Sequence, residues 1–170
     1  CSREFFNTLL NQLDSEKDIV VLTGRFDLWI SDIGQGHFQL ESENYIQEMI
    51  YRIEQLAKNS KKLVIIYPVP NYDFNISEMY IRGITDWNDV ISQDYDTWTT
   101  KAKMSYDTLD SISGQNINRL LAEEIFCNTF VEDKCIAAFE ENLFYTDDNH
   151  LSIEGTSLLA ERILSVLERE

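Results

Sequence analysis

Two short apolar runs, DIVVLTG at residues 18–24 and KLVIIYPVP at 62–70, constrain this chain more than any other feature. Neither alternates apolar with polar positions. Continuous, β-branched runs of this length suit strands covered on both faces. Gly24 ends the first; Pro68 and Pro70 stop the second, because proline has no N–H to offer a ladder. Between them, residues 42–58 repeat Tyr45, Ile46, Met49, Ile50, Ile53 and Leu56 on one helical face, opened by Ser42 with Glu43 in the first turn. Strand, amphipathic helix, strand implies parallel pairing, since parallel neighbours need a crossover. The expected fold class is α/β, three-layer α/β/α with a mainly parallel sheet.

The flanks agree. Residues 2–14 place Phe5, Phe6, Leu9, Leu10 and Leu13 on one helical face, and 153–168 place Ile153, Leu158, Leu159, Ile163, Val166 and Leu167 inward. Residues 71–94 read as a loop with a short helix, and 95–111 as moderately helical; NINRLLAEEIFC suits either strand or helix. No repeat, linker or low-complexity tract interrupts the 170 residues, so a single domain over 1–170 is expected. The chain begins at Cys1 without a methionine, which suggests a processed, excised or truncated start.

Thirty acidic residues against 14 basic ones give a net charge of -16, which argues against nucleic acid as a partner. No apolar run approaches the ~20 residues that span a bilayer. The pair Cys127 and Cys135 in FCNTFVEDKC suits a small disulfide loop formed in an oxidising compartment. Two free thiols, or a metal pair completed by His150, are the alternatives. With His37 and His150 the only histidines, no metal centre and no cofactor are expected.

In sheets of this class functional groups gather at the carboxyl ends of the strands. That directs attention to Gly24 and Arg25, to Pro68 and Pro70, and to FYTDDNHLSIEG at 144–155. There Asp147 stands three residues before His150, just ahead of the helix cap Ser152. A carboxylate bonded to one ring nitrogen fixes the tautomer and leaves the other nitrogen to take a proton from a hydroxyl. A helix N-terminus next to the ring favours the neutral base. The bland alternative is an exposed loop whose serine only caps the helix.

The order apolar strand, D-x-x-H, closing amphipathic helix resembles the last block of SGNH hydrolases. LFYTDDNHLSIEGTSLLAERIL is most similar to the end of the SGNH domains carried behind membrane-bound acyltransferase-3 domains, which acylate cell-envelope polysaccharides. DIVVLTGRFDLW and KLVIIYPVPNYDFNI resemble strands of the same domains, as does the cysteine pair ahead of the final block. The resemblance implies an SGNH/flavodoxin-like fold. It also implies an extracytoplasmic location, tethering through a membrane-embedded acyltransferase domain in the parent chain, and a carbohydrate or acylated substrate. Asp147 would orient His150, and His150 would act as base toward a serine.

Two departures accompany it. The family's serine lies in a G-D-S block after a first strand, and neither occurs in these 170 residues. Ser2 lacks the turn that presents a nucleophile, and Ser111 and Ser113 fall where the pattern places none. The catalytic serine is therefore expected outside this chain. The family's oxyanion asparagine is replaced in TGRF, where Gly24 and Arg25 become the candidate donors; otherwise Arg25 is a surface ion-pair partner. Trp29, Trp87 and Trp98 are expected in the core rather than as sugar platforms, and His37 on an exposed loop. Asn75-Ile76-Ser77 matches a glycosylation sequon. The expected function is O-acyl transfer or ester hydrolysis on an envelope carbohydrate. The alternative is a non-catalytic binding or scaffolding domain that kept the fold.

Overall fold

The computed structural model describes residues 3–27, 30, 42–86 and 88–168. Cys1, Ser2, Trp29, His37 and Trp87 lie outside the described residues. The chain divides into two compact units, one made of Cys1–Tyr67 with Lys103–Leu120 and the other of Pro68–Ala102 with Leu121–Glu170.

The first unit contains α1 (Arg3–Gln12), β1 (Ile19–Leu22), α2 (Ser42–Lys58) and β2 (Lys62–Ile66). It also holds the C-terminal part of a helix described below and β4 (Ile117–Leu120). β1, β2 and β4 form a parallel sheet in that order, with Val20 opposite Leu63 and Val64 opposite Asn118. The expected α/β class with a parallel sheet flanked by helices is what the chain adopts. β2 is central, and Leu63, Val64, Ile65 and Ile66 are all buried, as are Ile53, Leu56 and Ala57 of α2.

β1 departs from the two-sided burial expected of it. Ile19 and Val21 are 43% and 42% exposed. Its ladder runs to β2 alone among the described residues, so it is an edge strand. The α1 face is likewise less covered than its periodicity predicts, with Phe5 60% and Leu9 36% exposed. Phe6 of the same helix lies 5.2 Å from the Arg52 guanidinium.

The second unit contains α3 (Ile76–Ile81), β3 (Ile91–Asp94) and the N-terminal part of α4 (Tyr95–Asp110). α5 (Glu123–Phe126), β5 (Lys134–Phe139), β6 (Asn142–Leu143) and α6 (Ile153–Leu167) complete it. Here β3, β5 and β6 form an antiparallel sheet in that order. This antiparallel sheet adds to the parallel one that the sequence pattern announces. The ambiguous NINRLLAEEIFC resolves into both elements, β4 and then α5. Tyr72, Ile76, Phe126, Ile136, Phe144 and Tyr145 form the core of the unit.

The rings of Phe126 and Tyr145 sit 5.5 Å apart, and those of Tyr72 and Tyr145 meet edge-to-face at 5.0 Å. Trp98 is fully buried and donates its indole N–H to Glu123 at 2.9 Å, which makes it a core residue as expected. Ile153 departs from the inward face expected of it, and Leu164 of the same helix is 56% exposed as well. Ile153 is 83% exposed, because the first helical position projects beyond the stripe that the later turns bury.

Candidate active-site turn

The candidate site is the turn between β6 and α6, and its shape follows from bonds that the local sequence makes to itself. An isolated antiparallel bridge joins Tyr145 and Leu151, and the Thr146 N–H donates to the His150 carbonyl at 2.8 Å. Inside that closure one oxygen of the Asp147 carboxylate accepts from the Asn149 N–H at 2.9 Å and the His150 N–H at 2.7 Å. An Asp that bonds backbone two and three residues on is the Asx-turn chemistry this residue favours. The other carboxylate oxygen lies 2.7 Å from Nδ1 of His150.

An ionised carboxylate only accepts, so Nδ1 carries the proton and Nε2 is left as the basic nitrogen. The His150 side chain is 74% exposed and that of Asp147 30%. Partial burial pushes the Asp147 carboxyl up. The N–H groups of Asn149 and His150 and the His150 ring outweigh it and hold the carboxyl below its ordinary range. The acid thus stays charged and available to orient the ring.

The turn passes directly into α6. The buried Ser152 accepts from the Gly155 N–H at 3.1 Å as the N-cap, and its hydroxyl donates to the Leu143 carbonyl. Ser152 therefore acts as a cap, as its position suggested. A Cβ at Gly155 would lie 2.2 Å from the Phe144 carbonyl oxygen, a distance no side chain tolerates. The glycine lets the first turn of α6 sit against the strand end that precedes His150.

Two further contacts come from far along the chain. The Tyr72 N–H donates to the Asp148 carbonyl at 2.8 Å, and the Ser77 hydroxyl donates to the Thr146 carbonyl. Nothing local in the sequence points to either residue, because each stands about seventy positions from its partner. Gly155 left a readable trace, because a glycine in the first turn of a helix has no propensity reason to be there. Ser77, Tyr80, Ile81 and Leu143 line a shallow, largely apolar cavity of about 300 Å³ in the same unit. Asn75 caps α3 by accepting from the Glu78 N–H, so the sequon is built into a helix start.

Cys127 and Cys135 are bonded, with an S–S distance of 2.02 Å, and both are buried. They occupy facing positions of an antiparallel bridge, so the disulfide closes the loop between α5 and β5. That removes the thiolate-ligand reading, because bonded sulfurs do not ligate as thiolates. Among the described residues no cluster of three or more His, Cys, Asp or Glu side chains is placed to hold a metal ion.

Gly24 and Arg25 lie in the first unit, just after β1. Arg25 Nε sits 3.4 Å from the buried Asp27 carboxylate, and its side chain is 40% exposed. A Cβ at Gly24 would make only ordinary contact, 3.7 Å, with the Phe26 ring, so the backbone there has no steric need for glycine. Among the described residues, no helix is long and apolar enough to cross a membrane.

No curated protein and no solved structure matches the chain significantly. The family model described as SGNH domain (fused to AT3 domains) matches residues 1–165, as its final block and both parallel strands foreshadow. The chain belongs to this family of SGNH domains, which is of acyl-transfer and hydrolase type.

Proposed function

We propose that this chain is the C-terminal part of an SGNH domain that carries out O-acyl transfer or ester hydrolysis on a cell-envelope carbohydrate. The observation that carries this reading is the 2.7 Å contact between Nδ1 of His150 and Asp147, on a ring exposed enough to meet a substrate. In this reading Nε2 of His150 takes the proton of a serine hydroxyl supplied by a G-D-S block outside this sequence. The resulting serine oxygen attacks the acyl carbonyl, and the protonated ring then returns its proton to the leaving hydroxyl. Asp147 holds the tautomer and stabilises the imidazolium as it forms. Gly24 and Arg25 act as oxyanion or substrate donors.

The exposed apolar edge of β1 supports the location of the missing part. A further strand laid beside Ile19 and Val21 would cover these side chains and pair the open ladder. The family's association with acyltransferase-3 domains supports a membrane acyltransferase in the parent chain, with the SGNH domain on the extracytoplasmic side. The buried disulfide is in keeping with that compartment.

The test uses the parent protein with p-nitrophenyl acetate as acyl donor. His150→Ala should lower turnover by about 10²–10⁴-fold, the usual range for a general base. Unchanged turnover in His150→Ala would refute the mechanism and favour the binding or scaffolding alternative.

A further inference from the structure

The two long-range bonds to the active-site turn fall on either side of Asp147, at Thr146 and Asp148. This placement has a geometric consequence. A trans peptide is planar, with its C=O and N–H pointing opposite ways. The Tyr72 N–H holds the Asp148 carbonyl at 2.8 Å, which turns the N–H of the same peptide, that of Asn149, toward the Asp147 carboxylate 2.9 Å away. The Ser77 hydroxyl holds the Thr146 carbonyl, which fixes the peptide plane that enters Asp147 and so the direction in which its side chain leaves the backbone.

Both braces come from one stretch of chain. Tyr72 is itself locked by its buried ring against Tyr145, and Ser77 by the capped start of α3.

We propose that Ser77 is a positioning residue for the Asp147–His150 pair, working with the Tyr72 amide as a two-point brace that aims the carboxylate at Nδ1. The proposal rests on the reading of His150 as the base, but concerns the ring's proton rather than turnover.

The experiment follows the His150 ring by two-bond ¹H–¹⁵N correlation NMR with the imidazoles neutral, using His37→Gln to assign the two histidines. The expected result is His150 in the Nδ1–H tautomer. Ser77→Ala should shift the Nδ1–H to Nε2–H ratio toward Nε2–H by about threefold to tenfold, the range one net hydrogen bond carries. Ser77→Thr, which keeps the hydroxyl, should restore the ratio. Ser111→Ala removes a similar exposed hydroxyl bond, 2.6 Å to the Thr108 carbonyl, and should leave the ratio alone.

A wild-type ratio in Ser77→Ala, or an equal shift in Ser111→Ala, would overturn the proposal. If Ser77→Ala does not fold, Ser77→Cys, with its weaker donor, is judged by the same criterion. Loss of turnover plays no part in this readout, so an inert parent protein would sink the catalytic reading without touching the brace.

Discussion

The two units each contain a three-stranded sheet, yet they hold it together in different ways. In the parallel sheet β2 is buried on both faces, whereas β1 leaves Ile19 and Val21 more than two-fifths exposed. Its polar ties are concentrated where helices end. Asn116 donates to the carbonyls of Ala57 and Ser60, at 2.8 and 2.7 Å, in the last turn of α2 and just past it. Arg119 reaches the Ile112 carbonyl at 2.6 Å beyond α4 and donates to the Tyr67 hydroxyl at 3.1 Å.

The antiparallel sheet is closed covalently by Cys127 and Cys135, turned through the two-residue link Glu140-Glu141, and backed by aromatic rings that meet edge-to-face. The unit with the tighter closure is the one that carries His150. The proposed base–orienter pair works only if its geometry is held to fractions of an ångström, and a stapled, aromatic frame supplies that. An open apolar edge instead offers a surface for something else to dock.

The largest effect that bears on this contrast is catalytic. In the parent protein Arg25→Ala should cost no more than about 10²-fold in turnover, at the lower edge of what a single oxyanion donor contributes and below the loss from His150→Ala. An equal loss from the two would move the chemistry's centre of gravity toward the first unit.

Stability gives the next comparison. Phe126→Ala should cost about 3–5 kcal/mol, as a fully buried ring does, against less than about 1 kcal/mol for the half-exposed Ile19→Ala. Urea denaturation of the two variants measures both. Similar costs would mean that the β1 edge is covered in solution.

Replacing Cys127 and Cys135 together by alanine should lower stability by about 2–3 kcal/mol, the loop-closure value for a cross-link of separation 8. A smaller loss would show that the aromatic core alone closes the unit.

The hairpin tip allows the opposite sign. Glu140 and Glu141 have φ of 47° and 65°, a left-handed pair in which Asn-Gly is preferred. Combining Glu140→Asn with Glu141→Gly should raise the unfolding midpoint by an amount equivalent to about 1–2 kcal/mol. No gain would mean that Asn142, whose side chain donates to the carbonyls of Phe139 and Glu140, already offsets the strain.

The smallest effect is in pH dependence. The Asp147 carboxyl is held below its ordinary value, so its contribution to stability is complete above about pH 4 and is lost as pH falls through the folded value. The stability gap between wild type and Asp147→Asn should therefore narrow on acidification, which denaturant midpoints at neutral and acid pH would reveal. A gap that stays constant would mean that the carboxylate is not the group being held.

Much of this was legible in particular residues. VVL and LVII announced strands because covered parallel strands have no polar face to alternate with. The 42–58 stripe announced α2, and Ser152 announced the start of α6, because a cap and a helical period are local properties. Asp147 and His150 were legible for the same reason, since their bond spans three residues. The antiparallel pairing of β3 with β5 was not, because ISQD is short, half polar and recognisable as a strand only once its partner is beside it.

By itself the sequence determined the α/β class, the starts of α2 and α6, the cysteine pair and the local Asp147–His150 turn, all features set within a few residues of chain. Tertiary structure alone decided that β1 stands at the edge of the parallel sheet among the described residues, that the cysteines are bonded rather than free, and that Gly155 must be glycine to let α6 approach Phe144. It also decided that Tyr72 and Ser77 hold the peptides on either side of Asp147. The physical reason is distance along the chain: a bond between residues about seventy apart leaves no periodicity or composition behind it, and exists only when the core brings the two segments together.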